Sequence, residues 1–186
     1  MATWRTHSHR ETFAFDVEAR PGPWSGSDFT FRHMLSIAGG NEKHISYLAP
    51  GFTAGALEDL IQPMRDGALV VTHNGFRYDL PFLSGSLIRL GLPPLPPILV
   101  SDTYAHLPRR GQAFSASLGN LTERFKVKHQ KGHMSEVDWD EAYHGDPKAL
   151  ERLRLYNVGD VRATLALRSR LLELGILGPP RVWRPL

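Results

Sequence analysis

Two acidic side chains, Asp16 and Glu18, lie two residues apart in the segment 11–18, whose alternating pattern predicts a β-strand. Side chains at i and i+2 of a strand point to the same face, so we expect both carboxylates to project together and Phe15 and Val17 to point the other way. Paired carboxylates can bind a divalent cation. Taken alone, the pair fits a solvated strand face better than a metal site, because Asp-x-Glu is common by chance.

A third acid, Asp79, lies in the first turn of a helix predicted at 78–90, shortly after an apolar strand predicted at 68–72. Ligands of open α/β sheets collect at the carboxyl ends of the strands, which would place Asp79 near a binding site. Asp79 could equally be an acid favoured by the helix dipole. His73, in the same connection, is more often a packed or solvated residue than a ligand when it is considered alone.

Tyr156 and Asp160 lie four residues apart on the longest predicted helix, which begins at Asp146-Pro147 and runs to about Leu174. Four residues correspond to about 40° around the helix axis and about 6 Å along it. Periodicity places the pair at the rim of the apolar face, where it could look across at the edge of the sheet. A half-buried Tyr beside a solvent-facing Asp would explain these two residues as well.

The four acids together are more informative than any one of them. Two carboxylates 4 Å apart repel each other by about 4 kcal/mol at an effective dielectric constant of 20, so a cluster is costly without cations. The chain has no cysteine, and oxygen ligands favour Mg²⁺ or Mn²⁺. Two such ions about 3.5–4 Å apart could stabilise the attacking and leaving oxygens of a phosphodiester.

The remaining patterns predict how these residues are positioned. Strands come first and then alternate with helices, which indicates an α/β fold with a mixed β-sheet and helices on its faces, in a single domain spanning 1–186. The other predicted segments are a loop at 20–28, hairpin strands at 31–38 and 43–48, a helix at 53–64, a Pro-rich loop at 93–97, a strand at 98–100, a helix at 115–125 and an irregular stretch at 126–143.

The composition limits the kind of protein. The formal net charge is +3, which suits a polyanionic partner without requiring one. No apolar run approaches the roughly 20 residues that span a bilayer, and the first residues lack the apolar core of a secretory signal. We therefore expect an intracellular, cytoplasmic protein with no membrane association and no disulfides.

Three short motifs carry a family resemblance. FDVE at Phe15–Glu18, HNGFRYDLPFL at His73–Leu83 and YNVGD at Tyr156–Asp160 resemble, in order, the three motifs of the DnaQ-like, or DEDD, 3′→5′ exonucleases of the ribonuclease H-like superfamily. The His form of the family would have His at position 155, where this chain has Leu155, so the chain resembles the DEDDy branch. The resemblance implies a ribonuclease H-like mixed β-sheet flanked by helices on both faces.

The resemblance also implies roles for particular residues. Tyr156 would orient the attacking water and contact the scissile phosphate, and His73 and Asn74 would contact the substrate. Hydrolysis would release nucleoside 5′-monophosphates from the 3′ end. The carboxylates that would hold two Mg²⁺ or Mn²⁺ ions are those of Asp16, Glu18, Asp79 and Asp160.

Three features lie outside the shared motifs. Ala19 stands where many members of the family carry Thr or Ser. Asp102, followed by Thr103, is interpreted as a structural cap rather than a metal ligand. His129 and His133 are interpreted as part of a basic loop near the substrate rather than as a separate metal site.

The substrate remains open at this point. We favour single-stranded DNA 3′ ends, with a polymerase or repair protein as a possible partner. An RNA-processing exonuclease is the alternative, because ribonuclease D shares the Tyr form, and RNA use would require contacts to the 2′-hydroxyl. A non-catalytic nucleic-acid-binding module and a structure-specific endonuclease are further alternatives on the same fold.

Overall fold

The structure is a computed structural model that describes residues 11–19, 34–107, 115–129 and 131–185. The predicted loop at 20–28 and the first part of the predicted strand at 31–38, residues 31–33, lie outside these ranges. The strands are β1 (Thr12–Ala19), β2 (Met34–Gly40), β3 (Ile45–Leu48), β4 (Leu69–Thr72), β5 (Ile98–Asp102) and β6 (Arg181–Trp183). The helices are α1 (Ala54–Arg65), α2 (Asp79–Arg89), α3 (Leu118–Arg124), α4 (Glu136–Tyr143) and α5 (Pro147–Glu173).

The six strands form one mixed sheet in the order β3-β2-β1-β4-β5-β6. β1 pairs antiparallel with β2 and parallel with β4, β5 continues the parallel part, and β6 returns antiparallel to β5. Because β1 is central and its neighbour β4 runs in the same direction, the segments that follow β1 and β4 emerge at the same edge of the sheet. The predicted mixed sheet is confirmed.

Helices cover both faces of this sheet. On one face Phe15 packs in a core that includes Leu57 of α1 and Leu80 of α2. On the other face Ala14 packs with Val158 and Val161 of α5. Alternate residues of β1 therefore belong to two different cores, and the carboxylates of Asp16 and Glu18 lie on the face that carries α5.

The long helix α5 begins and ends as its sequence predicts. The Asp146 side chain accepts a hydrogen bond from the Ala149 amide at 2.8 Å, and Pro147 occupies the first turn. Gly175 follows the helix with φ of 67°, a conformation that glycine adopts without strain. Among the described residues, no helix combines the length and the apolar character that crossing a bilayer requires.

Two elements differ from the sequence-based predictions. The stretch predicted as irregular at 126–143 contains α4, so that prediction is wrong for its second half. Ser135 and Asp138 form a capping box at the start of α4, but Ala142 is its only buried residue, so the helix lacks the apolar periodicity that would reveal it. The strand β6 was not predicted, because three residues form a strand only through pairing with β5.

Gly40, at the end of β2, allows a close approach between the hairpin strands. A Cβ atom at this position would lie 2.1 Å from the His44 carbonyl oxygen and 2.7 Å from the Ile45 Cα. We expect Gly40→Ala to lower the free energy of unfolding by roughly 2–3 kcal/mol, because backbone atoms would have to move. Urea denaturation followed by circular dichroism measures this change.

Gly85 in α2 provides the matched control for this substitution. Apart from its chain neighbours and the nearby backbone of α2, no heavy atom of the described residues lies within 4 Å of a Cβ placed there, so we expect Gly85→Ala to raise stability by about 1 kcal/mol through helix propensity. Equal stability of the two variants would contradict the proposed close packing at Gly40.

Candidate active site

Three carboxylates meet where α5 crosses β1. One ligand oxygen from each of Asp16, Glu18 and Asp160 lies within 4.8 Å of the other two. Asp16 and Glu18 project from the same face of β1, and α5 is held against that face by Val158 and Val161, which flank Asp160 in sequence. Packing of the apolar face of α5 against the sheet therefore brings Asp160 close to Asp16 and Glu18.

The surroundings of these three carboxylates disfavour their ionised forms when no cation is bound. Burial, assisted by the charge of Asp160, raises the pKa of Asp16 to about 7. Burial also raises the pKa of Glu18 well above its ordinary value, with the Asp16 charge adding to the effect. Within the described part of the chain, the buried Oδ1 atom of Asp160 has no hydrogen-bond partner. Three clustered carboxylates, two half-buried and one buried with an unpaired oxygen, are a donor set that suits a divalent cation of the Mg²⁺ type.

Asp79 lies next to this cluster but is not one of its three members. Its Oδ1 atom accepts a hydrogen bond from the Val17 backbone amide at 3.1 Å, which ties the start of α2 to β1. Burial raises the pKa of Asp79 well above its usual range, and the charge of Asp16 contributes further. Asp79 is therefore close enough to Asp16 for the two carboxylates to repel each other.

Lys131 and Tyr156 border the carboxylates on the side of the segment between α3 and α4. The Lys131 ammonium forms an ion pair with Asp160 Oδ2 and lies 4.5 Å from the centroid of the Tyr156 ring. Burial alone would lower the pKa of Lys131, but Asp160 and Tyr156 raise it above its usual value. The edge of the Trp139 ring contacts Tyr156 with a centroid distance of 5.7 Å.

Sequence reasoning did not single out Lys131 as a site residue. The available signal was its place between His129 and His133 in a basic segment that was interpreted as lying near the substrate. Both histidines are exposed. The one group of metal-ligating side chains found among the described residues does not include either of them.

Sequence reasoning also missed Asn157, a fully buried residue of α5. Its Nδ2 atom donates to Asp16 Oδ2 at 2.6 Å and to the Asp16 carbonyl oxygen at 3.1 Å. The only sequence signal was its place beside Tyr156 in the YNVGD motif. A buried amide in the middle of a helix is unusual unless its polar atoms are paired.

His73 and Asn74 shape the second wall of the site. His73 Nδ1 lies 2.8 Å from Thr103 Oγ1, and burial lowers the pKa of His73 to about 4, so its ring is neutral at pH 7. Asn74 has φ of 67°, a left-handed conformation in which Asn is among the favoured residues. Tyr104 packs against the His73 ring edge-on, with centroids 5.7 Å apart.

Asp102 holds this wall in place, which confirms its predicted capping role. The residue is fully buried at the end of β5. Its carboxylate accepts hydrogen bonds from the backbone amides of Asn74, Phe76, Tyr104 and Ala105 at 2.8–3.1 Å, and from Thr72 Oγ1 at 3.3 Å.

A cavity of about 770 Å³ opens directly onto the carboxylates. It is lined by Asp16, Asp160 and Lys131, by His73, Asn74 and Tyr104, and by residues 115–118 at the start of α3. The sequence-predicted residues Asp16, Asp160, His73 and Asn74 therefore share one cleft. Glu18 and Tyr156 lie beside it through their contacts with Asp16 and Lys131.

Comparisons with known proteins agree with this fold. A family model described as RNase_H superfamily matches residues 13–172 of the 186. The structure is similar to that of the family B DNA polymerase from the hyperthermophilic archaeon Pyrobaculum calidifontis, with a TM-score of 0.71 and 19% sequence identity over 90% of this chain. The match covers 25% of the polymerase chain, so this chain spans about a quarter of that protein's length.

A search of curated proteins found no match. The family match nevertheless extends from the second residue of β1 almost to the end of α5. It therefore includes both elements that carry the clustered carboxylates. The chain belongs to the RNase H superfamily.

Proposed function

We propose that the protein is a metal-dependent 3′→5′ exonuclease of the DnaQ-like DEDDy type that acts on single-stranded nucleic acid, with DNA favoured. The observation that carries the proposal is the approach of Asp16, Glu18 and Asp160 to within 4.8 Å of one another, beside an open cavity that Asp16 and Asp160 line. Superfamily membership is consistent with a nuclease, but a fold hosts many functions, so the site has to carry the argument.

In this proposal the chain would hold two Mg²⁺ or Mn²⁺ ions through Asp16, Glu18 and Asp160, with Asp79 contributing through water. Such ions, when bound, lower the pKa of water and stabilise negative charge on phosphoryl oxygens. Asp79 Oδ1 accepts a hydrogen bond from the Val17 amide, which holds this carboxylate beside Asp16.

The neighbouring polar side chains would handle the substrate. The Lys131 ammonium, which forms an ion pair with Asp160, would neutralise a non-bridging oxygen of the scissile phosphate. The Tyr156 hydroxyl would orient the attacking water. His73 and Asn74 would contact the terminal nucleotide from the opposite wall of the cavity. Attack in line with the leaving 3′-oxygen would release a nucleoside 5′-monophosphate.

DNA is favoured because one of the similar solved structures is that of a DNA polymerase. The positive net charge of the chain suits either nucleic acid. A polymerase or repair protein as partner, and a cytoplasmic location, stay predictions from the sequence.

A hydrolysis assay tests the proposal directly. Single-stranded DNA and RNA of the same sequence, labelled at the 5′ end, are incubated with the purified protein and Mg²⁺, Mn²⁺ or EDTA. We expect a ladder that shortens from the 3′ end of the DNA in the presence of either metal. Shortening of RNA alone would assign the ribonuclease D-like alternative, and cutting of circular single strands would assign an endonuclease. Cleavage in EDTA would contradict the mechanism.

Metal binding should also change the stability of the protein, in a way that depends on pH. In the folded, metal-free protein the pKa of Asp16 is raised from 3.8 to about 7. The Asp16 carboxyl group of the folded protein therefore keeps a proton that the same group of the unfolded chain releases. The stability from this group is complete below pH 3.8 and is lost as the pH rises through about 7. We therefore expect Mg²⁺ to raise the midpoint of thermal unfolding, measured by circular dichroism, more at pH 8 than at pH 5.

The double variant Asp16→Asn/Glu18→Gln provides the control for this effect. It lacks the two strand carboxylates, so Mg²⁺ should change its unfolding midpoint little at either pH. A Mg²⁺ effect as large as in the unchanged protein would show that the cation binds elsewhere.

A further inference from the structure

Asn157 occupies a position that connects three elements of the site. It lies on α5 with no exposed surface, and its side chain reaches Asp16 on β1 and Ser36 on β2. Both hydrogen bonds from Nδ2 go to Asp16, one to the carboxylate oxygen Oδ2 at 2.6 Å and one to the backbone carbonyl oxygen at 3.1 Å. The Oδ1 atom accepts from Ser36 Oγ at 3.3 Å.

These hydrogen bonds fix the orientation of the Asn157 amide and, through it, the orientation of the Asp16 carboxylate. Because Oδ1 is engaged by a hydroxyl donor, the amide group is oriented with its NH₂ towards Asp16. Contact with both the backbone and the side chain of Asp16 restricts the rotation of that side chain. One oxygen of Asp16 is thereby held towards α5, and the carboxylate is kept in the orientation in which it meets Glu18 and Asp160.

The amide is also suited to this position by its charge. Asp16 already lies near the carboxylates of Glu18, Asp79 and Asp160, with Lys131 as the neighbouring cation, and burial disfavours its ionised form. A neutral NH₂ donor stabilises the negative charge of Asp16 without placing a competing cation in the site. An apolar side chain of the same size would leave Asp16 Oδ2 without this donor.

We propose that Asn157 is a positioning residue that presents the Asp16 carboxylate to a divalent cation, with Ser36 holding the amide in turn. The inference rests on the cation site of the proposed function, but it concerns metal affinity rather than the reaction. Partners that orient a metal-binding side chain commonly change metal affinity 10–100-fold when they are removed.

The test measures Mn²⁺ binding to the metal-stripped full chain by isothermal titration calorimetry. We expect Asn157→Leu, which keeps the size of the side chain but cannot donate, to weaken Mn²⁺ binding about 10–100-fold. Ser36→Ala, which removes the hydroxyl that orients the amide, should weaken binding about three-fold. The second variant decides the question if Asn157→Leu does not fold, because a buried Ser→Ala change is small.

Leu167→Ala is the matched control, because it destabilises the same helix at a buried position without contacting the acids. It should lower thermal stability in EDTA while leaving Mn²⁺ affinity within two-fold of the unchanged protein. A purely structural role for Asn157 would instead make both α5 variants weaken Mn²⁺ binding in proportion to their loss of stability.

The binding data decide this inference separately from hydrolysis. If the unchanged protein binds Mn²⁺ but cleaves neither DNA nor RNA, the proposed function fails, and weaker binding by Asn157→Leu still supports the positioning role. Unchanged Mn²⁺ affinity in Asn157→Leu and Ser36→Ala would overturn the inference. Failure of the unchanged protein to bind Mn²⁺ would overturn it too.

Discussion

Replacing Asp16 with Asn is expected to lower the rate of 3′→5′ degradation of single-stranded DNA by about 10³-fold or more. Asp16 is the residue that contacts or repels every other acid of the site, namely Glu18, Asp79 and Asp160. The substitution keeps the shape of the side chain and removes one charge. Because a cation in this cluster would depend on that charge, the loss should appear in the hydrolysis rate at any Mg²⁺ concentration that keeps the protein soluble.

The same substitution should not harm the metal-free fold. Burial and the neighbouring acids already disfavour the ionised form of Asp16, so a neutral amide removes repulsion. We expect the midpoint of thermal unfolding of Asp16→Asn in EDTA to equal or exceed that of the unchanged protein. Loss of activity together with retained stability would separate a catalytic role from a structural one.

Asp59→Asn is the control for this experiment. Asp59 is exposed on α1, which packs on the opposite face of the sheet from Asp16. The activity of the Asp59→Asn variant should therefore match that of the unchanged protein. Full activity in Asp16→Asn would contradict the proposed nuclease site. Equal losses in both variants would point to a change in net charge rather than in the site.

Replacing Asp102 with Ala is expected to have the largest effect on stability, a loss of about 3–5 kcal/mol in the free energy of unfolding. Its buried carboxylate accepts hydrogen bonds from four backbone amides. Two of these amides belong to the segment that leads from β4 to Asp79, and two belong to the turn after β5. Removing a buried acceptor leaves those amides without partners, which costs more than the bonds contribute when they are formed.

Urea denaturation in EDTA measures this loss, so that metal binding does not contribute to the result. Asp102→Asn should fall between Ala and the unchanged protein, because an amide retains one acceptor oxygen and the shape of the side chain. Asp59→Ala, on an exposed helix surface, should change stability by less than about 0.5 kcal/mol. If Asp102→Ala also changed the free energy of unfolding by less than about 0.5 kcal/mol, the turn after β5 would be held by other contacts.

Strand alternation and helix capping correctly predicted the elements on which most of the candidate residues lie. The alternation of β1 put Asp16 and Glu18 on one face, and the structure has them there, opposite the face of Phe15. The capping signal at Asp146 and the glycine at 175 located α5 to within two residues, and this helix carries Tyr156 and Asp160. These predictions succeeded because strand alternation and helix capping are local properties that a few neighbouring residues decide.

Other features depended on contacts between distant segments. The sequence predicted an irregular basic segment around Lys131. In the structure the Lys131 ammonium forms an ion pair with Asp160. Asn157 was not singled out from the sequence, and only the packing of α5 across β1 and β2 gives its amide two partners on Asp16 and one on Ser36. In the same way, the three residues of β6 form a strand because β5 offers an open edge.

By itself, the sequence determined the α/β class, the main strands and helices, and the types and spacing of the acids that could bind cations. Only the tertiary structure decided which of those acids meet, that Asp79 uses an oxygen on the Val17 amide, and that Lys131 and Asn157 join them. Periodicity and capping depend on residues that are neighbours in the sequence. The distance between two acidic groups on different elements depends instead on how a helix and a sheet pack in their shared core.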